Sequence, residues 1–133
     1  MIEQGLQQEI NMVMTEARNR RLEFVTVEHL LLALLNMDDV ISFLRGKRVN
    51  IDELRAELDQ YIDSHTPIIS EDAEIDIVPT VGFQRVLQRS VYQAQSAQKN
   101  SVNAMNVFVS IFSEKILTKT FMAFTEFFCA DWA

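Results

Sequence analysis

The residues able to do chemistry are few. Two histidines, His29 and His65, and one cysteine, Cys129, are the whole supply of imidazole and thiol in 133 residues. Their positions show no zinc-ligand spacing, and no base stands beside Cys129 in the sequence to activate it as a nucleophile. The three glycines, Gly5, Gly46 and Gly82, stand alone, so neither a GxxxxGK[ST] nor a GxGxxG phosphate cradle is present. Catalysis, metal and cofactor are therefore not expected. His29 adjoins the start of an apolar helix and reads as a structural or capping residue. His65 reads as a solvated residue opening a linker. The more telling groups are polar residues at element ends. Glu23 and Glu28 flank Phe24-Val25-Thr26, where they either complement a helix dipole or present negative charge to a basic partner. Thr80, Gln84, Arg85, Gln88 and Arg89 share the opening turns of another helix. That face is either simply solvated or a place where orphan N–H groups receive a partner's loop.

The elements that must position these residues are helical. Leu6, Ile10, Val13, Met14 and Ala17 recur at helical spacing, as do Phe83, Val86, Leu87, Val91 and Ala94. After Thr26, a good N-cap, Leu30 to Leu35 is apolar on nearly every side, which predicts a helix buried all round. Its counterpart opens near Asn103 and runs from Val107 to Phe112. Asp38 or Asp39 is expected to start a helix through Val40, Ile41, Phe43 and Leu44 that Gly46 stops. Asn50 or Asp52 starts the next, with Leu54, Leu58 and Ile62 on its stripe. Residues 64–79, bracketed by Pro67 and Pro79 and acidic at Glu71, Asp72, Glu74 and Asp76, read as a surface linker.

Displacing the chain by 77 residues lays 5–35 over 82–112 without a gap. Gly5 meets Gly82, Ile10 meets Leu87, Ala17 meets Ala94, Leu30 meets Val107 and Leu34 meets Ile111. Breaks occur at Val13 with Ser90 and at Phe24 with Ser101. The apolar register nonetheless holds across two elements and the turn between them, which marks an internal duplication. The expected architecture is all-α: repeat 1 over 1–63, linker 64–79, repeat 2 over 80–115 and a divergent aromatic tail over 116–133.

Net charge of -7 argues against a nucleic-acid partner, which would call for a basic face. The clusters Arg18-Asn19-Arg20-Arg21 and Arg45-Gly46-Lys47-Arg48 instead fit helix C-termini. No run of about 18 apolar residues is present to span a bilayer. The opening Met1-Ile2-Glu3-Gln4 lacks the pattern of a secretory leader. The expectation is a cytoplasmic protein with no membrane partner.

The stretches Phe24-Val25-Thr26-Val27-Glu28-His29 through Leu35, Phe83-Gln84-Arg85-Val86-Leu87-Gln88-Arg89 and Asn106 to Glu114 resemble the N-terminal domain of the Clp/Hsp100 AAA+ chaperone family, above all its ClpA-type members. The resemblance covers about residues 1–115. It implies two four-helix pseudo-repeats forming a mobile, non-catalytic module at the mouth of an ATPase ring. Such a module docks a ClpS-type adaptor and captures protein substrates for the rest of a Clp ATPase. The docking positions it implies here are Glu23, Glu28, Thr80, Gln84 and Arg85. In ClpC-type relatives an acidic residue in the TxEH motif of each repeat reads phosphoarginine. Here the first repeat keeps Thr26-Val27-Glu28-His29 and the second has Asn103-Ala104-Met105-Asn106, so the second acidic site is missing.

The tail departs from that pattern, with Leu117, Phe121, Phe124 and Phe128 at helical spacing and Trp132 near the end. It is expected to form one helix over the second copy. Two functions remain open: a docking module of an unfoldase, or a free-standing domain that sequesters the adaptor as a regulator.

Overall fold

The computed structural model describes residues 2–69 and 77–114, with side chains through 111. The acidic heart of the expected linker and the aromatic tail with Cys129 lie outside the described residues. Six helices make up the described fold: α1 Gln4–Asn19, α2 Val27–Leu34, α3 Asp38–Gly46, α4 Ile51–His65, α5 Val81–Ser96 and α6 Ala104–Glu114. Two short strands, β1 Phe24–Val25 and β2 Val78–Pro79, precede α2 and α5.

Helix α2 sits at the centre, touching α1, α4, α5 and α6. Leu30, Leu31, Leu34 and Leu35 are fully buried there. Leu32 alone in the run is only half-buried, because its side of the helix faces a cavity between α1 and α4. The stripe of α4 (Leu54, Leu58, Ile62) and that of α1 (Leu6, Ile10, Ala17) close over α2. The ring of Phe43 on α3 meets that of Phe108 on α6 edge-on at 5.8 Å, joining the first copy to the second. That geometry suits the positive edge and negative face of aromatic rings.

The duplication recurs bond by bond. At the end of α1 the N–H of Arg21 donates to the carbonyl of Arg18 and that of Leu22 to Ala17, with Arg21 at φ 56°. At the end of α5, 77 residues on, Gln98 donates to Gln95 and Lys99 to Ala94, with Gln98 at φ 58°. Both are Schellman closures, in which a left-handed residue turns two N–H groups back onto orphan carbonyls.

The end of α3 follows the same scheme. Arg48, at φ 63°, donates to Arg45, and Val49 donates to Leu44. The expectation that Gly46 stops this helix is therefore corrected: Gly46 is its last helical residue and Arg48 takes the left-handed position. At the start of α3, Met37 is the N-cap, and Asp38 and Asp39 sit inside the first turn, near the positive end of the dipole. Asn50 caps α4 as expected, accepting from the Glu53 N–H at 3.1 Å. Both basic clusters fall at helix ends, Arg18 in the last turn of α1 and Arg45 in that of α3.

Helix starts are matched too. Thr26 N–H donates to His29 Nδ1 at 3.0 Å, and Asn103 N–H donates to Asn106 Oδ1 at 3.0 Å. In each case the third helical residue reaches back to the cap. The break at Ser90 is accommodated because its buried hydroxyl donates to the Val86 carbonyl at 2.8 Å, so no polar group is stranded.

Candidate functional site

Between α1 and α2 the chain runs extended through Leu22–Val25 and collects a neighbour on each side. On one side Leu22 bridges Ile68 antiparallel, and Glu23 N–H donates to the Pro67 carbonyl at 2.9 Å. On the other, β1 pairs in parallel with β2, Phe24 opposite Val78 and Val25 opposite Pro79. Val78 N–H reaches the Glu23 carbonyl at 3.4 Å and Thr80 N–H the Val25 carbonyl at 2.9 Å. Parallel pairing aims both strands the same way, and one residue later each becomes a helix. The starts of α2 and α5 therefore lie side by side.

This pairing settles the positions of the five residues singled out from the sequence. Glu23 is exposed at the entry to β1, and Glu28 is half-exposed in the first turn of α2. Thr80 is the N-cap of α5, its hydroxyl accepting from the Phe83 N–H at 3.3 Å. Gln84 is exposed and donates from Nε2 to the Pro79 carbonyl at 3.1 Å, while Arg85 is exposed beside it on α5. The ladder thus sets Glu23 beside Val78 and Thr80 beside Val25, with Glu28 in the first turn of α2 and Gln84 and Arg85 at the start of α5.

Three residues at this corner carried no signal in the sequence reading: Ile68, Val78 and Val81, exposed at 73%, 48% and 69%. They add exposed apolar surface on both edges of the Leu22–Val25 segment. Pro67 and Pro79 marked the region only as loop, and single exposed valines carry no periodic signal.

His29 is buried and holds its Nδ1 toward the cap of α2. Burial, aided by the Arg20 guanidinium, pulls its pKa down from 6.5 to about 4, so the ring is neutral near neutrality. His65 is the last residue of α4, exposed and stacked on Tyr61 with ring centroids 4.0 Å apart. Among the described residues no group of three or more His, Cys, Asp or Glu is placed to hold a metal ion, and no helix is long and apolar enough to cross a membrane.

The duplicated helical unit with this paired-strand corner is an all-α repeat domain, and residues 1–123 match the family model described as the Clp repeat (R) N-terminal domain. The chain belongs to that family, the N-terminal domains of Clp/Hsp100 ATPases. A ClpA homolog protein of Fuscovulum blasticum is 36% identical over 111 residues, spanning 83% of this chain and 14% of that protein. The fold is shared with the N-domain of ClpV from Vibrio cholerae at a TM-score of 0.76 and 14% identity, over 94% of this chain and 75% of that one. It is shared also with the Hsp104 N-terminal domain from Candida albicans, at a TM-score of 0.71 and 13% identity, over 83% and 72% of the two chains.

Proposed function

We propose that this chain is the docking module through which a Clp-type unfoldase receives a ClpS-type adaptor and protein substrates, and that it does so at the β1–β2 corner. The observation that carries this reading is the hydrogen bond from Thr80 N–H to the Val25 carbonyl, 2.9 Å long. It locks the acidic entry of the first copy (Glu23, Glu28) to the polar helix start of the second (Thr80, Gln84, Arg85). A partner meeting this corner finds the Glu23 and Glu28 carboxylates on one copy and the Arg85 guanidinium on the other, with exposed apolar surface at Ile68, Val78 and Val81. Charges steer and orient such encounters, whereas the apolar rim supplies the desolvated area that holds the complex.

The test is titration of the chain with a ClpS-type adaptor by calorimetry, with Glu28→Ala and Arg85→Ala measured beside the parent. Both residues stand outside the core, so both variants should keep the parent's melting temperature. The reading expects saturable binding by the parent and a loss of about tenfold or more in affinity for each variant. A parent that fails to bind at micromolar concentration removes the adaptor reading.

A further inference from the structure

A second site lies beside that corner, between α1, α2 and α4, and it starts from an unpaired donor. His29 Nδ1 accepts the Thr26 N–H at 3.0 Å, so the proton of the neutral ring resides on Nε2. His29 is buried, with 3% of its surface exposed, and Nε2 finds no partner among the described residues. A buried N–H left unpaired costs about 1–3 kcal/mol, so such groups call for an explanation. His29 lines a cavity of about 140 Å³ between α1, α2 and α4.

Two further sets of donors reach the same cavity. Arg20, from the end of α1, and Arg55, from α4, both line it. Arg20 spends one nitrogen on Asp63. Arg55 spends Nη1 on Asn36 Oδ1 at 2.9 Å and Nη2 on the Leu35 carbonyl at 3.2 Å. A guanidinium carries five N–H donors, so both retain capacity. Much of the remaining wall is apolar, including Ala17, Leu22 and Leu32; the Asn36 amide and the exposed Glu16 and Asp59 also line it.

We propose that this cavity binds a carboxylate group with a short apolar stem, its oxygens accepting from His29 Nε2–H and the neighbouring guanidinium groups. A planar, singly charged oxyanion matches a ring N–H and a guanidinium fork. The Glu16 and Asp59 carboxylates oppose a doubly charged phosphate or sulfate more strongly than a monoanion. The volume limits the part that enters to a few heavy atoms, and the leucines and alanine favour an alkyl stem over further polar groups. The carboxylate could be a free small acid or the C-terminus of a peptide. The proposal is independent of the adaptor reading.

The second copy supplies the variant for the test. Asn106 stands where His29 does and caps its helix through Oδ1, so His29→Asn keeps the acceptor that Thr26 needs and deletes the Nε2–H donor. The ¹⁵N-labelled full chain is titrated with sodium propionate against sodium chloride at matched ionic strength, following the His29 Nε2 resonance and nearby amides. Expected are saturable, propionate-specific shifts in the millimolar range. His29→Asn and, separately, Arg20→Gln should each weaken them by about tenfold, with helical circular dichroism unchanged. Two further arms, a tripeptide with a free C-terminus and its C-terminal amide, identify the source. Competition by the free acid alone assigns a peptide end; binding of propionate alone assigns a small acid. Strictly linear shifts in the parent, or equal affinity in parent and variants, overturn the proposal and leave the cavity filled by water.

Discussion

Acid is expected to destabilise this fold through one ring. His29 has a pKa of about 4 when folded, against 6.5 when free, chiefly because burial disfavours the charged form. Between those two values the unfolded chain binds a proton that the folded chain does not. Stability therefore falls as pH falls, by about 1.4 kcal/mol per pH unit across the window. The whole loss is about 3 kcal/mol once pH reaches the folded value. Above 6.5 the residue adds no pH dependence. Against a typical domain stability of about 5–15 kcal/mol, that is a large share. The assay is urea unfolding of the parent and of His29→Asn from neutrality down to the folded pKa, in carboxylate-free buffers so that the α1–α2–α4 cavity is not occupied. His29→Asn keeps a cap acceptor and cannot titrate, so subtracting its profile removes the contribution of the surface carboxylates. The parent should lose stability faster on acidification, the two profiles converging or crossing near the bottom of the window. Parallel profiles across the whole range would refute the assignment of a buried, neutral imidazole.

Leu31→Ala, which truncates a side chain 1% exposed on α2, should cost roughly 2–5 kcal/mol in denaturant unfolding. Thr80→Ala removes the acceptor for the Phe83 N–H and should cost about 1 kcal/mol, read as a lower melting temperature. Gln98→Gly relieves a left-handed backbone at φ 58° and should gain about 0.5–1 kcal/mol. Gln95→Gly, within α5, should instead lose about 1 kcal/mol.

Much of the helical order was legible because apolar residues recur with helical period, and because Asn50, Thr80 and Asn103 announce helix starts. The duplication was legible for the same reason, and even the substitution of His29 by Asn106 preserves its capping chemistry. The corner was harder. Strands of two residues carry no periodicity, and the pairing of Phe24 with Val78 joins segments far apart in the chain. Nothing local in Ile68, Val78 or Val81 reports that they will share a surface. The helix ends misled in a different way. Glycine usually takes the left-handed closing position, but here Arg21, Arg48 and Gln98 take it. Closure then rests on paired carbonyls rather than on backbone freedom, and sequence composition does not reveal that. The cavity behind His29 was illegible too, since it depends on how α4 settles against α1.

Two backbone contacts are worth setting against each other. Thr80 N–H meets the Val25 carbonyl, and Glu3 N–H meets that of Val102, each at 2.9 Å. Val25 lies opposite Pro79, and Ile2 opposite Val102. Since equivalent positions are 77 residues apart, these two contacts between the copies are reciprocal: Glu3 and Val102 stand where Thr80 and Val25 do. That is the signature of an isologous dimer, with both subunits spliced into a single polypeptide. A true homodimer must present identical mouths at its two equivalent positions. Splicing lifts that obligation: one helix start carries Glu28 where the other carries Met105, and the two ends can diverge while sharing one interior.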